Sequence, residues 1–197
     1  MYSFRVEQAI RAAAVLHRDQ VRKGTMPFPY ITHLVSVAMS LCAYTADEDV
    51  IVAAFLHDTI EDTDYTLEEL EQDFGPTVRD IVATVSEPRS DTSSDTLTWQ
   101  ERKRTYRTQL QSASQEALLV AAADKIHNMR TVVETYFDEP LKFKQDFGGT
   151  LKDRMEHYQF LANIFNRALT NDILHEFNHV FSEYRDFIRN IESLNTQ

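Results

Sequence analysis

The sequence predicts an all-α fold, and three observations lead to this class. Apolar residues recur at helical spacing, as Val6, Ala9, Ile10, Ala13 and Leu16 do near the start of the chain. The 197 residues include only four glycines and five prolines, which is few for a chain built from short strands and turns. No segment shows the alternation of apolar and polar residues that marks a half-buried strand.

The first three predicted helices are separated by short segments. The apolar spacing predicts a helix from about Phe4 to Arg18. Glycine and proline residues between positions 24 and 30 predict a loop, which is followed by a helix from about Thr32 to Tyr44. Residues 45–47 separate this helix from a third, which we expect to run without interruption from about Glu48 to Asp62.

The middle of the chain carries clear start and stop signals. Thr66 and Glu69 have the spacing of a capping box, so a short helix begins there and ends at Gly75. Pro76 suits the first position of another helix, which continues to about Ser86. Residues 87–98 are rich in Ser, Thr and Asp without apolar periodicity, which predicts a surface loop, either a plain linker or a lid over a site.

The second half of the chain predicts four longer helices. A charged helix covers Trp99–Gln111, and Ser112 with Gln115 is the predicted cap of an apolar helix over Ala117–Val133. After Pro140 and a double glycine, two amphipathic helices follow at about 150–168 and 171–193. Their phenylalanines are expected in the core, with a self-association face and hence a homodimer as the alternative; these are Phe160, Phe165, Phe177, Phe181 and Phe187.

The composition excludes several classes of protein. A net charge of −11 and an isoelectric point near 5.0 argue against nucleic-acid binding. A single cysteine, Cys42, excludes an internal disulfide and fits a reducing compartment. Charged residues interrupt the N-terminus, which argues against a secretory signal, and no apolar run approaches the ~20 residues that span a bilayer. We expect a cytoplasmic protein that binds neither nucleic acid nor membrane.

The stretch 55–64 closes an apolar segment with one histidine and four acids. An adjacent pair such as His57-Asp58 is costly in a buried helix unless a ligand, such as a divalent cation, binds both side chains. On a helix, Glu61 and Asp62 lie one turn beyond this pair. Taken alone, the stretch is equally compatible with a frayed helix end carrying solvated acids.

Two further polar residues stand in apolar helices. His33 begins one such helix, and Asp124 follows three alanines in the most hydrophobic helix of the chain. Either residue alone is more often structural, but His33, His57, Asp58 and Asp124 together predict a metal site. Imidazole and carboxylate ligands without thiolate indicate Mn²⁺, Fe²⁺, Zn²⁺ or Mg²⁺. A water molecule at an open position would be the nucleophile, and Glu61 and Asp62 are placed to move its proton and protonate a leaving oxygen.

These four positions match the H…HD…D signature, and the chain resembles the HD-domain metal-dependent phosphohydrolases. Further stretches are similar to the hydrolase domain of the RelA/SpoT alarmone enzymes, above all to the stand-alone small alarmone hydrolases. They are Arg22-Lys23, 29–33, 57–63, Phe74-Gly75, Trp99 with residues 101–103 and Tyr106, and 123–131. The likeness covers about residues 6–136, and the C-terminal third is matched only loosely.

The resemblance implies a single HD-domain bundle of about ten helices over residues 1–197. Within it, the metal-binding core would cover about 6–136 and a C-terminal helical extension about 140–195. The implied activity is Mn²⁺-dependent removal of the 3′-pyrophosphate from (p)ppGpp or (p)ppApp, with one Mn²⁺ per chain. The absence of a synthetase segment in 197 residues predicts a hydrolase without the opposing activity.

The resemblance also assigns roles to residues. It implies that His33, His57, Asp58 and Asp124 hold the metal, that Glu61 and Asp62 are catalytic, and that Arg22, Lys23 and Asn128 contact the nucleotide. A highly charged anion that approaches a protein of charge −11 needs local cations, and Lys125 and Arg130 are further candidates.

Two departures from the family pattern leave the substrate open. Leu34 stands where the family often has proline, and the loop at 23–30 is longer than usual and lacks an acidic residue. Because this loop adjoins the expected pocket, the sequence does not decide between guanine and adenine. The alternatives are an HD-type phosphohydrolase for another nucleotide or for NADPH, and a non-catalytic nucleotide sensor.

Overall fold

The computed structural model describes residues 3–24, 27–88, 97–147 and 150–194, and it confirms the all-α class. These residues form eleven α-helices, one 3-10 turn at Pro140–Lys142 and an isolated bridge between Val21 and Pro29. The helices are α1 (Phe4–Leu16), α2 (Ile31–Leu41), α3 (Glu48–Leu56), α4 (Thr59–Asp62), α5 (Leu67–Phe74), α6 (Pro76–Val85), α7 (Trp99–Gln111), α8 (Gln115–Thr135), α9 (Phe143–Asp146), α10 (Leu151–Ala168) and α11 (Ile173–Leu194).

The third predicted helix is interrupted, which corrects the expectation of a continuous helix from 48 to 62. The helix α3 ends at Leu56, and the single turn α4 begins at Thr59. His57 Nδ1 lies 2.8 Å from the carbonyl oxygen of Ala54, which in an uninterrupted helix would accept from the amide of residue 58. The Thr59 hydroxyl donates to the carbonyl of Leu56 at 2.6 Å. At His57 and Asp58, hydrogen bonds from side chains thus replace those of the helical backbone.

The capping signals are confirmed around Gly75 and corrected before α8. Thr66 and Glu69 form the capping box, and Gly75 joins α5 to α6 with φ +88°, a conformation that glycine adopts without steric cost. The cap of α8 is Ser114, whose hydroxyl accepts from the amide of Ala117, instead of Ser112 with Gln115. Ser112 is the C-cap of α7, so the two nearby serines serve the end of one helix and the start of the next.

The apolar core surrounds α3 and the first half of α8. Every residue from Val50 to Leu56 is buried, as is every residue from Ala117 to Asp124. The helix α8 packs against α2, α3, α6 and α11, so it runs through the centre of the bundle. Since buried helices are the least mobile parts of a domain, the residues at their ends are held in fixed positions.

The C-terminal helices complete the same core. The helix α11 packs along α8, and α10 packs against α11 and α7. Four of the five phenylalanines expected in the core are buried, while Phe160 is partly buried against it; the four are Phe165, Phe177, Phe181 and Phe187.

Some expectations concern residues that the structure does not describe. Positions 89–96 of the predicted loop, on which the choice between linker and lid depends, lie outside the described residues, and so does the double glycine at 148–149. Within the described ranges, no helix is both long and apolar enough to cross a bilayer.

Candidate active site

The four predicted metal ligands converge from three helices. His33 lies in the first turn of α2, His57 and Asp58 follow α3, and Asp124 lies in the middle of α8. His33 Nε2 is 3.2 Å from Asp124 Oδ1 and 3.5 Å from Asp58 Oδ2. His57 Nε2 is 3.3 Å from Asp58 Oδ2 and 3.6 Å from Asp124 Oδ1. Two imidazole nitrogens and two carboxylates therefore face one another in a buried space.

The two histidines present free ring nitrogens to this space. The Nε2 atoms of His33 and His57 are buried and have no hydrogen-bond partner among the described residues. Their Nδ1 atoms are each 2.8 Å from another partner, which is the Ala54 carbonyl for His57 and the His127 ring for His33. When Nδ1 carries the proton, the lone pair of Nε2 is available as a ligand. The donor atoms of His33, His57 and Asp58 all lie within 4.8 Å of one another, which fits a single divalent metal ion.

The electrostatics of the cluster also favour a cation. Burial opposes protonation of His57, but Asp58 and Asp124 outweigh it and raise its pKa to about 9. Burial alone would raise the pKa of Asp124, yet Lys125 and the two histidines hold it well below its usual range. Without a metal, the two carboxylates thus favour the protonated form of the His57 imidazole. A divalent cation satisfies the same carboxylates and releases that proton.

Neighbouring polar side chains orient the two candidate carboxylate ligands, Asp58 and Asp124. The Tyr30 hydroxyl donates to Asp58 Oδ2 at 2.7 Å. Lys125 Nζ donates to Asp124 Oδ2 at 2.6 Å, and Asn128 Nδ2 donates to Asp124 Oδ1 at 2.5 Å. Such outer contacts limit which carboxylate oxygen faces the metal position.

Glu61 lies beside the ligand cluster in a setting that favours proton transfer. The backbone amide of Glu87 donates to Glu61 Oε2 at 3.1 Å, and Arg102 Nη1 is 4.0 Å from Glu61 Oε1. Burial, together with the charges of Glu87 and Asp58, raises the pKa of Glu61 to about 7. A carboxyl group that titrates near neutrality can both accept and donate a proton under physiological conditions.

A cavity of about 660 Å³ opens next to the cluster. Four of the five predicted substrate-binding residues line it, namely Arg22, Lys23, Lys125 and Asn128, and so does Asp62. The structure does not bring Arg130 to this place. Arg130 is exposed, forms an ion pair with Glu176 of α11 and is absent from the lining of the cavity.

Three further cations line the cavity that the sequence analysis did not assign to substrate binding. They are Arg102, Lys103 and Arg154. The first two stand in a stretch that supported the family resemblance, so that stretch was the available signal. Arg154 belongs to α10, beyond the matched region, and the sequence contains no motif that indicates its position. Among the described residues, six lysines and arginines but one carboxylate line the cavity. This local excess of positive charge contrasts with the net charge of −11 of the whole chain.

Aromatic rings hold several of these cations. The Arg22 guanidinium lies 5.4 Å from the centre of the Tyr30 ring and donates to Asn128 Oδ1 at 2.7 Å. Lys125 Nζ is 4.9 Å from the Tyr106 ring centre, and the Arg154 guanidinium is 5.1 Å from that of Phe147. Cation–π contacts restrict a long side chain without neutralising its charge. The cavity is therefore a preformed, positively charged site.

The fold and the site define an all-α domain with a divalent-metal centre built from histidine and aspartate. The family model described as HD domain matches residues 9–147, and the chain belongs to this family. The chain is 36% identical over 167 residues to the human protein named guanosine-3′,5′-bis(diphosphate) 3′-pyrophosphohydrolase MESH1, with 76% of this chain and 90% of that protein covered. It is 38% identical over 125 residues to the Drosophila melanogaster protein of the same name, covering 62% and 66%.

One solved structure resembles the chain over nearly its whole length. It is a metazoan orthologue of SpoT, described as hydrolysing ppGpp, and it aligns with a TM-score of 0.73 at 29% identity. The alignment covers 93% of this chain and 97% of that one, so the likeness extends through the C-terminal helices as well as the metal-binding region.

Proposed function

We propose that the protein is a Mn²⁺-dependent alarmone hydrolase, which removes the 3′-pyrophosphate from (p)ppGpp or (p)ppApp and yields the 5′-nucleotide and pyrophosphate. The observation that carries this proposal is the position of the four candidate metal ligands next to a cavity that, among the described residues, is lined by six lysines and arginines but one carboxylate. The names of the MESH1 relatives and of the SpoT orthologue support the same reaction.

His33, His57, Asp58 and Asp124 would hold the metal. When bound, the metal supplies Lewis-acid polarisation of the phosphate and a more acidic water molecule. Two imidazoles with two carboxylates suit Mn²⁺, and the same donors accept Fe²⁺, Zn²⁺ or Mg²⁺. We propose Mn²⁺, one per chain.

Glu61 and Asp62 would move the protons of the reaction. Glu61 lies beside Asp58 with its pKa near 7, so it suits the removal of a proton from the attacking water. Asp62 lines the cavity next to this position and suits proton donation to the leaving oxygen. The 3′-pyrophosphate would therefore lie between the metal site and this acid pair.

The cavity would bind the rest of the nucleotide. Arg22, Lys23, Lys125 and Asn128 would contact the ribose and phosphates, as the resemblance implies. Arg102, Lys103 and Arg154 add cations that suit a second phosphate group, because charge-assisted hydrogen bonds to phosphate are strong in a partly buried site. Arg130 is not included, since Glu176 already pairs with it outside the cavity.

The reaction is tested by measuring pyrophosphate release from purified, Mn²⁺-loaded protein. The substrates are ppGpp and ppApp side by side, with NADPH and dGTP as controls and with Mg²⁺, Zn²⁺ and Fe²⁺ in parallel. We expect turnover of at least one alarmone, and the ratio of the two rates gives the base preference. If the Mn²⁺-loaded protein releases pyrophosphate from neither alarmone, the proposal is contradicted. Turnover of NADPH alone would indicate a different substrate for the same site.

Location and assembly complete the proposal. A single cysteine and the nucleotide substrate suit a cytoplasmic enzyme. A homodimer is tested by the mass in solution at several concentrations, because a dimer of this 22.8 kDa chain would double the measured mass.

A further inference from the structure

The two histidine ligands differ in what holds their rings. His57 Nδ1 faces the backbone carbonyl of Ala54 at 2.8 Å, and a carbonyl can only accept a hydrogen bond. His33 Nδ1 faces Nδ1 of a second imidazole, that of His127, also at 2.8 Å. An imidazole nitrogen can donate or accept, so the protonation pattern of His33 depends on that of His127.

A contact of this length between two ring nitrogens requires one proton between them. If His127 donates, Nδ1 of His33 is the acceptor, and the proton of a neutral His33 ring stands on Nε2, facing Asp58 and Asp124. That form cannot bind a metal. If His33 donates, its Nε2 lone pair faces the two carboxylates, as a ligand requires.

We propose that His127 is a positioning residue of the metal site, which accepts the hydrogen bond from Nδ1–H of His33 and is itself protonated at Nε2. The inference rests on the proposed metal site, to which it adds a residue. His127 follows Asp124 by three positions on α8, so both side chains lie on the same face of the helix. One helix therefore supplies a ligand and also sets the tautomer of a ligand on α2.

Within the described ranges, His127 is the hydrogen-bond partner of His33 Nδ1, and no second one stands beside it. His33 is 1% exposed, so the loss of its partner would leave Nδ1–H buried without an acceptor from the described residues. The loss of an outer hydrogen-bond partner typically weakens metal affinity by about 10- to 100-fold.

The first test measures the affinity for Mn²⁺ by titration calorimetry, without any nucleotide. We expect His127→Leu, which removes the acceptor, to raise the Kd by about 10- to 100-fold. We expect His127→Gln, whose amide oxygen can accept, to recover most of the loss. The matched control is His179→Leu, since His179 is exposed and pairs only weakly with Glu183 at 3.6 Å; its Kd should equal that of the wild type.

The second test keeps the inference open to refutation even where His127→Leu does not fold. In the wild-type protein loaded with diamagnetic Zn²⁺, nitrogen-15 NMR of the histidine rings should place protons on His33 Nδ1 and His127 Nε2. A proton on His127 Nδ1, or an unchanged Mn²⁺ Kd in a folded His127→Leu variant, overturns the inference. Neither readout requires turnover, so a failure of the proposed reaction is a separate result.

Discussion

The backbone amide of Glu87 donates a hydrogen bond to the carboxylate of Glu61, while the side chain of Glu87 pairs with Lys103. One residue thus holds the candidate base and also one of the cations that line the cavity. Glu87 lies at the start of the segment predicted as a loop, so its two contacts link Glu61 to the wall of the cavity.

The role of Glu61 is tested by Glu61→Gln. The amide keeps the size of the side chain but cannot act as a base, so we expect the rate of pyrophosphate release to fall by roughly 10²–10⁴-fold. Mn²⁺ affinity should be retained, because Glu61 is not one of the four proposed ligands. An unchanged rate would exclude Glu61 as the base.

The pH dependence of the reaction should change in Glu87→Gln. The negative charge of Glu87 is the largest contribution to the raised pKa of Glu61 after burial. Because a base acts when deprotonated, the wild-type rate should rise with pH through the region of this pKa. Removing the charge of Glu87 lowers the pKa, so the rising limb should move to lower pH, as measured by kcat profiles of both proteins. A limb that stays in place would contradict this coupling.

Loss of a carboxylate ligand should remove the metal. We expect Asp58→Ala and Asp124→Ala to abolish both Mn²⁺ binding and turnover, because each leaves the two imidazoles with a single carboxylate. Asp186→Ala is the control, since the Asp186 side chain is 67% exposed on α11. Calorimetric binding of Mn²⁺ to a ligand variant at wild-type affinity would show that the ligand set is different.

The role of Arg154 is tested with two substrates, one with and one without phosphates at the 5′ position. If Arg154 binds the 5′ phosphates, Arg154→Gln should raise KM about tenfold or more for the substrate that carries them. KM for the substrate without 5′ phosphates should stay nearly unchanged. Lys152→Gln serves as the control, because the side chain of Lys152 is 83% exposed. Equal changes in KM for both substrates would exclude a contact with the 5′ group.

His157 should make the protein sensitive to acid. Burial and the nearby lysines and arginines lower its pKa to about 2, whereas an unfolded chain has a histidine pKa of about 6.5. The unfolded state therefore binds a proton that the native state does not, and stability falls as pH decreases below about 6.5. We expect His157→Gln to flatten the dependence of the unfolding free energy on pH between about 6.5 and 4, measured by urea titration. Parallel curves for the two proteins would be inconsistent with a neutral, buried imidazole.

The candidate metal ligands could be picked out because each is a polar residue in or next to an otherwise apolar helix. His33, His57, Asp58 and Asp124 stood out from their neighbours, and the fold brings them together. The helical class was predictable for a related reason, since the apolar spacing is repeated along most of the chain. The resemblance added roles that spacing alone does not contain.

The remaining features depend on hydrogen bonds and packing that hydrophobic periodicity does not show. The break after Leu56 results from a side chain that takes the carbonyl of Ala54, which periodicity does not reveal. Glu87 and Arg154 are ordinary charged residues in the sequence, and only packing brings them to Glu61 and to the cavity. The interpretation of Arg130 as a substrate ligand followed from its charge, which does not indicate the direction of its side chain.

The adjacency of Asp124 and Lys125 has a thermodynamic consequence. Lys125 Nζ forms a hydrogen-bonded ion pair with Asp124 Oδ2, and Lys125 also lines the cavity. A phosphate bound near Lys125 would compete for that ammonium group and leave more negative charge on Asp124 for the metal. Nucleotide and metal should therefore bind with positive cooperativity, and each should strengthen the affinity of the other by the same factor.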